Sequence, residues 1–198
     1  MKELELLVGY GFMMFDPSST FETVRANVGF LRQITGDGTT AAVFGRMQPY
    51  AGTPIEAELA ASSRLRGGLT NPDYAFLDPQ LDEFFPVVNA ATEDWIHGED
   101  ALSVQFNWAW QEWWMLRRLY PPLSGLGAYA RTLRYLTGRG NEYLFRLVDD
   151  TAQAFADGSN DTPDLPQINA VRQEFAHELL TRRDAFILRH QARLRAAL

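Results

Sequence analysis

Apolar and polar positions change their pattern near residue 50. Residues 4–15 are almost continuously apolar or small, which is typical of a parallel-sheet strand covered on both faces. Apolar residues at helical spacing follow, and residues 39–47 form a second apolar run. A strand, an amphipathic helix and a second strand predict a βαβ unit, in which the two strands run parallel.

The helix of this unit has recognisable end signals. Ser19 and Glu22 stand at the spacing of a capping box, which places the start of the helix directly after Ser19. Gly36 is expected to end the helix in the left-handed conformation.

The rest of the chain is predicted to be almost wholly helical. Thr53, Pro54 and Glu56 are the residues expected at the start of a helix over 54–66, which Gly67-Gly68 would end before a loop. Pro86 predicts a kink or an early break in the next helix. Glycine and proline turns, including Pro121-Pro122 and Gly138-Arg139-Gly140, divide the remaining helices, which are predicted at 79–97, 99–119, 124–137, 140–157 and 165–196. The predicted fold is therefore α/β plus mainly α, with a βαβ part over 1–53 and a helical part over 54–198.

A single βαβ unit does not supply a stable sheet. Two strands leave both edges bare, and they need further strands or covering helices. Either the helical part packs over the sheet, or the rest of a larger α/β domain lies in another chain or in an upstream segment.

Composition narrows the functional classes. The 198 residues carry a net charge of −7, which does not favour a nucleic-acid partner. The chain has no cysteine, so it forms no disulfide and offers no thiolate ligand or cysteine nucleophile. The apolar run near Met1 is shorter than a membrane span and is preceded by glutamates, unlike a signal peptide. We expect a cytoplasmic protein with no membrane partner.

Three segments carry a resemblance to a known family. The first combines a Gly-Phe-x-x-Phe-Asp-Pro run, a Thr-Phe-Glu run and an Asn before Phe-Leu; its residues are Gly11, Phe12, Phe15, Asp16, Pro17, Thr20, Phe21, Glu22, Asn27, Phe30 and Leu31. The second is the run Arg46-Met-Gln-Pro-Tyr-Ala-Gly-Thr-Pro-Ile55, and the third is Tyr74-Ala-Phe-Leu-Asp-Pro79. In order and spacing they resemble the late barrel region of radical S-adenosylmethionine (SAM) enzymes, especially the cobalamin-binding-domain subgroup.

The resemblance covers residues 1 to about 85 and implies the end of a partly open (β/α) barrel. It implies that Gly11, Met13 and Phe15 lie near the adenine of SAM, and that Asp16 and Arg46 face the cavity, where a small-molecule substrate would also bind. Each residue has a structural alternative. Asp16 would cap the following turn, Arg46 would pair with a surface carboxylate, and the glycines would serve strand packing.

The missing cysteines depart from the family pattern. The family starts its reaction from a [4Fe–4S] cluster bound by a Cys-x-x-x-Cys-x-x-Cys motif, which this chain lacks. The resemblance therefore implies a C-terminal portion that is inactive alone and whose partner is the missing N-terminal barrel half or another chain. The cluster and any cobalamin would be bound through that part. The alternative is a stand-alone helical protein-interaction module with a short βαβ edge.

Three further patterns have mainly structural interpretations. Four of the five tryptophans lie on one predicted helix. Trp110, Trp113 and Trp114 stand at helical spacing and are expected to pack in the core, with an aromatic ligand wall as the alternative. The stretch from Gly67 to Glu112 has no basic residue, whereas the last helix is rich in arginine, so the two would be solvated faces or would dock together. The histidines, paired with glutamates one turn away at His97 and His177, predict surface pairing and no metal site.

Overall fold

The computed structural model describes residues 11–120, 123–159 and 161–195. Its strands are β1 (Met13–Phe15), β2 (Gly45–Arg46), β3 (Leu65–Gly68) and β4 (Asn71–Tyr74), and its helices are α1 (Phe21–Thr35), α2 (Pro54–Ala61), α3 (Pro79–Ile96), α4 (Leu102–Leu119), α5 (Leu126–Ala156) and α6 (Leu165–Arg195). Helices make up 66% of the described residues, and each of the two sheets there has two strands. No described helix has the length and apolar character needed to cross a bilayer.

The βαβ prediction is confirmed for the described residues. Strands β1 and β2 are parallel and are joined through α1, with Met13 beside Gly45 and Phe15 beside Arg46. The part of the first predicted strand before residue 11 lies outside the described residues. Helix α1 begins after Thr20, whose side chain and that of Thr23 cap each other's backbone N–H, so the predicted cap at Ser19 is wrong by one residue. Thr20, which directly follows Ser19, forms the reciprocal bonds with Thr23 and therefore caps the helix.

Strand β2 is much shorter than predicted, because helix side chains bind the backbone before it. Asn107 of α4 accepts a hydrogen bond from the Ala41 N–H, and Asn141 of α5 accepts one from the Ala42 N–H. Ser103 donates to the Ala42 carbonyl. These bonds occupy backbone groups that a neighbouring strand would otherwise use.

Helix α5 is continuous where two helices were predicted. Gly38 has a φ of +70° and lies against α5, with its Cα 3.6 Å from an ideal Cβ on Gly138. An ideal Cβ on Gly140 would lie 2.9 Å from the Phe106 ring. The Gly138-Arg139-Gly140 segment is therefore a site of close packing and not a turn. Gly36 is also not left-handed, with a φ of −64°, since Gly38 makes the turn two residues later.

The region after α2 differs from the prediction. Helix α2 ends at Ala61, so the predicted helix end at about residue 66 is wrong. Strand β3 begins at Leu65, within the predicted helix, and forms an antiparallel hairpin with β4, in which Leu65 lies beside Tyr74. Thr53 caps α2 and Pro54 is its first residue, as predicted. Helix α3 runs through Pro86 without a break. The predicted Pro121-Pro122 separator lies outside the described residues.

The core joins the βαβ unit to the helices. Val24, Val28 and Leu31 of α1 are fully buried, and α1 packs mainly against α5. The ring of Phe15 meets the ring of Phe84 on α3 at a centroid distance of 6.3 Å. The helical part therefore packs over the short parallel sheet.

Candidate functional site

The three segments that resemble the family meet at the carboxyl end of β1. The hydroxyl of Tyr74 donates to the Phe15 carbonyl at 3.3 Å, and the Leu77 N–H donates to the Pro17 carbonyl at 2.8 Å. Arg46 at the end of β2 donates through Nη2 to the Tyr74 carbonyl. Segments distant in sequence therefore form one local cluster.

A cavity of about 380 Å³ opens beside this cluster. Phe15 and Arg46, the last residues of β1 and β2, both lie in its wall, so the cavity lies at the carboxyl ends of the parallel strands, where open α/β sheets generally bind ligands. Its other lining residues come from the segment around β2, the hairpin and α3, namely Phe44, Gly45, Met47, Gln48, Asn71, Pro72, Asp73, Phe85, Val88, Asn89, Thr92 and His97.

The guanidinium of Arg46 lies among three aromatic rings. Its Cζ is 4.0 Å from the ring centroid of Tyr74, 4.5 Å from that of Phe76 and 4.6 Å from that of Phe85. A cation over an aromatic face gains about 0.5–2 kcal/mol, depending on how far water is excluded. Tyr74 and Phe76 are buried, so two of the rings are held firmly by the core. The arginine is therefore fixed in position before any ligand arrives.

The hydrogen bonds of Arg46 are incomplete. Nη1 pairs with Oδ1 of Asp73 at 2.9 Å, and the side chains are 16% and 44% exposed, respectively. Nε is buried and has no hydrogen-bond partner among the described residues. An unpaired buried donor typically costs about 1–3 kcal/mol. Within the described part of the chain, the guanidinium of this cavity-lining arginine is therefore only partly satisfied.

Burial raises the pKa of Tyr74 to about 12, and the nearby Arg46 opposes this shift. The charged phenolate is disfavoured because the side chain is withdrawn from water. Tyr74 is therefore a neutral hydrogen-bond donor at physiological pH and supports the end of β1 in that form.

The sequence-predicted site residues separate into two groups. Phe15 and Arg46 line the cavity, whereas Gly11, Met13 and Asp16 are not part of its wall. Gly11 is exposed with open space around an ideal Cβ, and the Met13 side chain is 58% exposed. Asp16 accepts hydrogen bonds from the Ser18 N–H and hydroxyl, both at 2.7 Å, as in the structural alternative for this residue. Their roles toward SAM remain predictions.

Sequence reasoning missed the residues that the hairpin and α3 bring to the cavity. Asn71 and Asp73 were not singled out because the hairpin was not predicted, and Phe85 was not singled out because the packing of α3 beside β2 has no local signal. A usable signal was present, since Gly67-Gly68 and Asn71 are turn-forming residues close together in sequence.

Two tryptophans of α4 and one residue of the acidic stretch make contacts within the fold. Trp110 is buried and donates to Thr137 at 3.2 Å, and Trp113 donates to the Leu126 carbonyl at 3.1 Å, whereas Trp108 is 64% exposed. Glu112, the last acidic residue of its stretch, pairs with Arg183 on α6 at 2.6 Å.

The histidine pairs take different places in the structure. His97 lines the cavity, while Glu93 accepts a hydrogen bond from Asn89 at 3.3 Å. Within residues 11–120, 123–159 and 161–195, no group of three or more metal-ligating side chains is found.

Comparisons with protein-family models, with curated protein sequences and with solved structures found no match to this chain.

Proposed function

We propose that this chain is the C-terminal part of a radical SAM protein and that its cavity forms part of the wall of the SAM and substrate site. The observation that carries the proposal is the position of the cavity, which lies at the carboxyl ends of two parallel strands, among the segments that resemble the family. The half-buried ring of Phe85 would offer an apolar surface to a flat base, and Arg46 would offer a hydrogen-bond donor to a polar group.

The residues of this chain fit one cofactor of the family and not another. Without cysteine its residues do not fit a [4Fe–4S] cluster, so the cluster would belong to another segment or chain, and no step of the reaction is assigned to it here. A cavity of about 380 Å³ lined by Phe85 and Arg46 suits part of a nucleoside-containing ligand such as SAM. No residue of this chain is assigned to cobalamin.

The DNA upstream of the codon for Met1 tests the proposal directly. We expect a reading frame or a neighbouring gene that encodes a Cys-x-x-x-Cys-x-x-Cys motif. Its product, made together with this chain and reduced under anaerobic conditions, should cleave SAM to 5′-deoxyadenosine, and omission of this chain should abolish the cleavage. No such motif, or cleavage that is unaffected by omitting this chain, would contradict the proposal.

A second candidate function is a stand-alone helical interaction module. The observation that favours it is that α4 and α5 themselves bind the backbone before β2, through Ser103, Asn107 and Asn141. Trp108, Met115 and Leu119 of α4 are exposed and share one side of the helix at spacings of seven and four, which would suit a protein partner. This candidate predicts an in-frame stop codon upstream of Met1 and a chain that unfolds cooperatively by itself in urea.

A further inference from the structure

The wall of the cavity carries two opposite charges side by side. Arg46 and Asp73 form an ion pair of 2.9 Å, and both residues line the cavity. The two charged side chains differ in how firmly the fold holds them. Arg46 is held by the rings of Tyr74 and Phe76, whereas Asp73 lies on the hairpin and is 44% exposed. The arginine is the fixed member of the pair, and the aspartate is the one that water reaches.

Water reaches the aspartate of this pair, whereas the arginine side chain is only 16% exposed. Opening the pair therefore leaves a largely buried guanidinium that needs another anionic partner. A purely anionic ligand would approach Arg46 against the charge of Asp73, and a purely cationic ligand would approach Asp73 against the charge of Arg46. A ligand with both charges avoids either repulsion, because each of its groups meets an opposite charge.

We infer that the cavity binds a small zwitterionic ligand of the amino-acid class, with its carboxylate on Arg46 and its ammonium group on Asp73. Nη1 of Arg46, which pairs with Asp73 at 2.9 Å, is the donor that the ligand carboxylate would take over. Carboxylates are favoured partners of arginine because two parallel N–H groups match their two oxygens. This inference rests on the proposed function, since it names the ligand class for the same cavity.

The remaining lining fits the rest of such a ligand. The half-buried ring of Phe85 supplies apolar surface for an aliphatic or aromatic side chain, and Asn71 and Asn89 supply amide groups. The volume of about 380 Å³ is at the small end of ligand cavities, which range over roughly 300–1,000 Å³. The cavity therefore has room for a ligand of amino-acid size.

Three probes of matched shape test the charge requirement on the intact chain. Norleucine carries both charges, hexanoate lacks the ammonium group, and pentylamine lacks the carboxylate. Titration of the ¹⁵N-labelled chain at neutral pH should show norleucine binding at least tenfold more tightly than either single-charge probe, with shifts at residues lining the cavity. Equal binding of hexanoate and norleucine, binding away from the cavity, or no binding of norleucine up to its solubility limit would overturn the inference.

Variants of the pair then assign the two groups. Arg46→Gln and Asp73→Asn should each weaken norleucine binding at least tenfold, and Asp73→Asn should improve hexanoate binding relative to norleucine. Arg66→Gln is the matched control, since Arg66 lies on β3 of the same hairpin in an exposed pair with Asp82 and should leave binding unchanged. Norleucine affinity that is unchanged in both cavity variants would overturn the assignment.

Failure of the inference can be separated from failure of the proposed function. Norleucine selectivity without any SAM cleavage by the combined proteins would contradict only the radical SAM proposal. SAM cleavage by combined proteins whose cavity shows no zwitterion selectivity would contradict only the ligand class.

Discussion

Asn141 in the helical core and Arg46 at the cavity are both polar side chains withdrawn from water, and they differ in how far the protein satisfies them. Asn141 is 3% exposed, donates to the Thr35 and Thr40 carbonyls at 2.9 Å each, and accepts from the Ala42 N–H at 2.8 Å. Arg46 retains a buried Nε without a partner and an ion pair to an exposed carboxylate.

This difference distinguishes a structural group from a binding group. A buried polar side chain whose bonds all go to backbone fixes one arrangement of the chain, and its loss exposes several unpaired groups at once. An arginine whose ion-pair partner is a half-exposed carboxylate can exchange that carboxylate for a ligand, which is the role that we propose for Arg46. The following predictions test whether the contact of α5 with the loop before β2 is structural and whether the Arg46 cluster is not.

The largest loss of stability is expected for Gly38→Ala, at the point where the loop before β2 contacts α5. A Cβ there would lie 2.0 Å from the Arg134 carbonyl oxygen, on a residue with a φ of +70°. We expect a loss of about 4 kcal/mol in the free energy of unfolding, from backbone strain and overpacking together. Gly98→Ala is the control, because its φ is +90° and an ideal Cβ has open space, so only about 1–2 kcal/mol of strain should appear. Equal losses in urea unfolding would show that the close approach is unimportant.

Asn141→Ala is expected to cost about 3 kcal/mol in the same measurement. The substitution leaves two carbonyls and one N–H near the core without their partner. The matched control is Asn169→Ala on the exposed side of α6, where the amide bonds only with Arg172 and the expected change is below about 0.5 kcal/mol. A loss at position 141 as small as that of the control would remove the structural side of the comparison.

Tyr74 predicts a loss of stability at alkaline pH. Burial raises its pKa to about 12, above the value of about 10 in the unfolded chain, so its contribution is complete below pH 10 and is lost as the pH rises toward 12. Tyr74→Phe should lower the free energy of unfolding by about 1 kcal/mol near neutral pH, because the bond to Phe15 is lost. Between about pH 10 and 12, the free energy of unfolding of this variant should fall by up to about 2 kcal/mol less than that of the parent chain. Tyr135→Phe, at an exposed tyrosine, should leave the pH profile unchanged.

The smallest effect on stability is expected at the cavity itself. Arg46→Met keeps an apolar side chain among the three rings and removes a desolvated charge, so the free energy of unfolding should change by less than about 1 kcal/mol. Arg66→Met, which removes an exposed pair, provides the reference for a surface arginine. A loss of about 3 kcal/mol or more at Arg46 would make this residue as structural as Asn141 and would weaken the case for a ligand.

Sequence patterns predicted those helices and strands whose signals lie within a few neighbouring residues. The parallel pair, α1, and the cap and proline at the start of α2 follow from apolar spacing and from end-capping residues, and the structure has them. The hairpin was missed and α5 was divided, because glycines were taken as turns. Gly138 and Gly140 instead lie where a loop and the Phe106 ring approach the helix, and such a contact has no signature in the neighbouring residues.

The candidate site could be predicted only in part, because some of its residues have local signals and others reach it only through tertiary contacts. Phe15 and Arg46 are the last residues of their strands and were singled out through the family resemblance, together with Gly11, Met13 and Asp16, which do not line the cavity. Asp73 and Phe85 reach the cavity only because the hairpin and α3 pack beside β2. Asp16 shows the converse, since a carboxylate after a strand is compatible with a ligand site and with a turn, and here it caps the turn.

The amino-acid sequence by itself determined the charge, the absence of cysteine, the helical content of the second part and the order of strand, helix and strand. These depend on composition and on residues a few positions apart. Only the tertiary structure decided which polar groups are satisfied and which opposite charges meet at a cavity, because both depend on contacts between residues far apart in the chain.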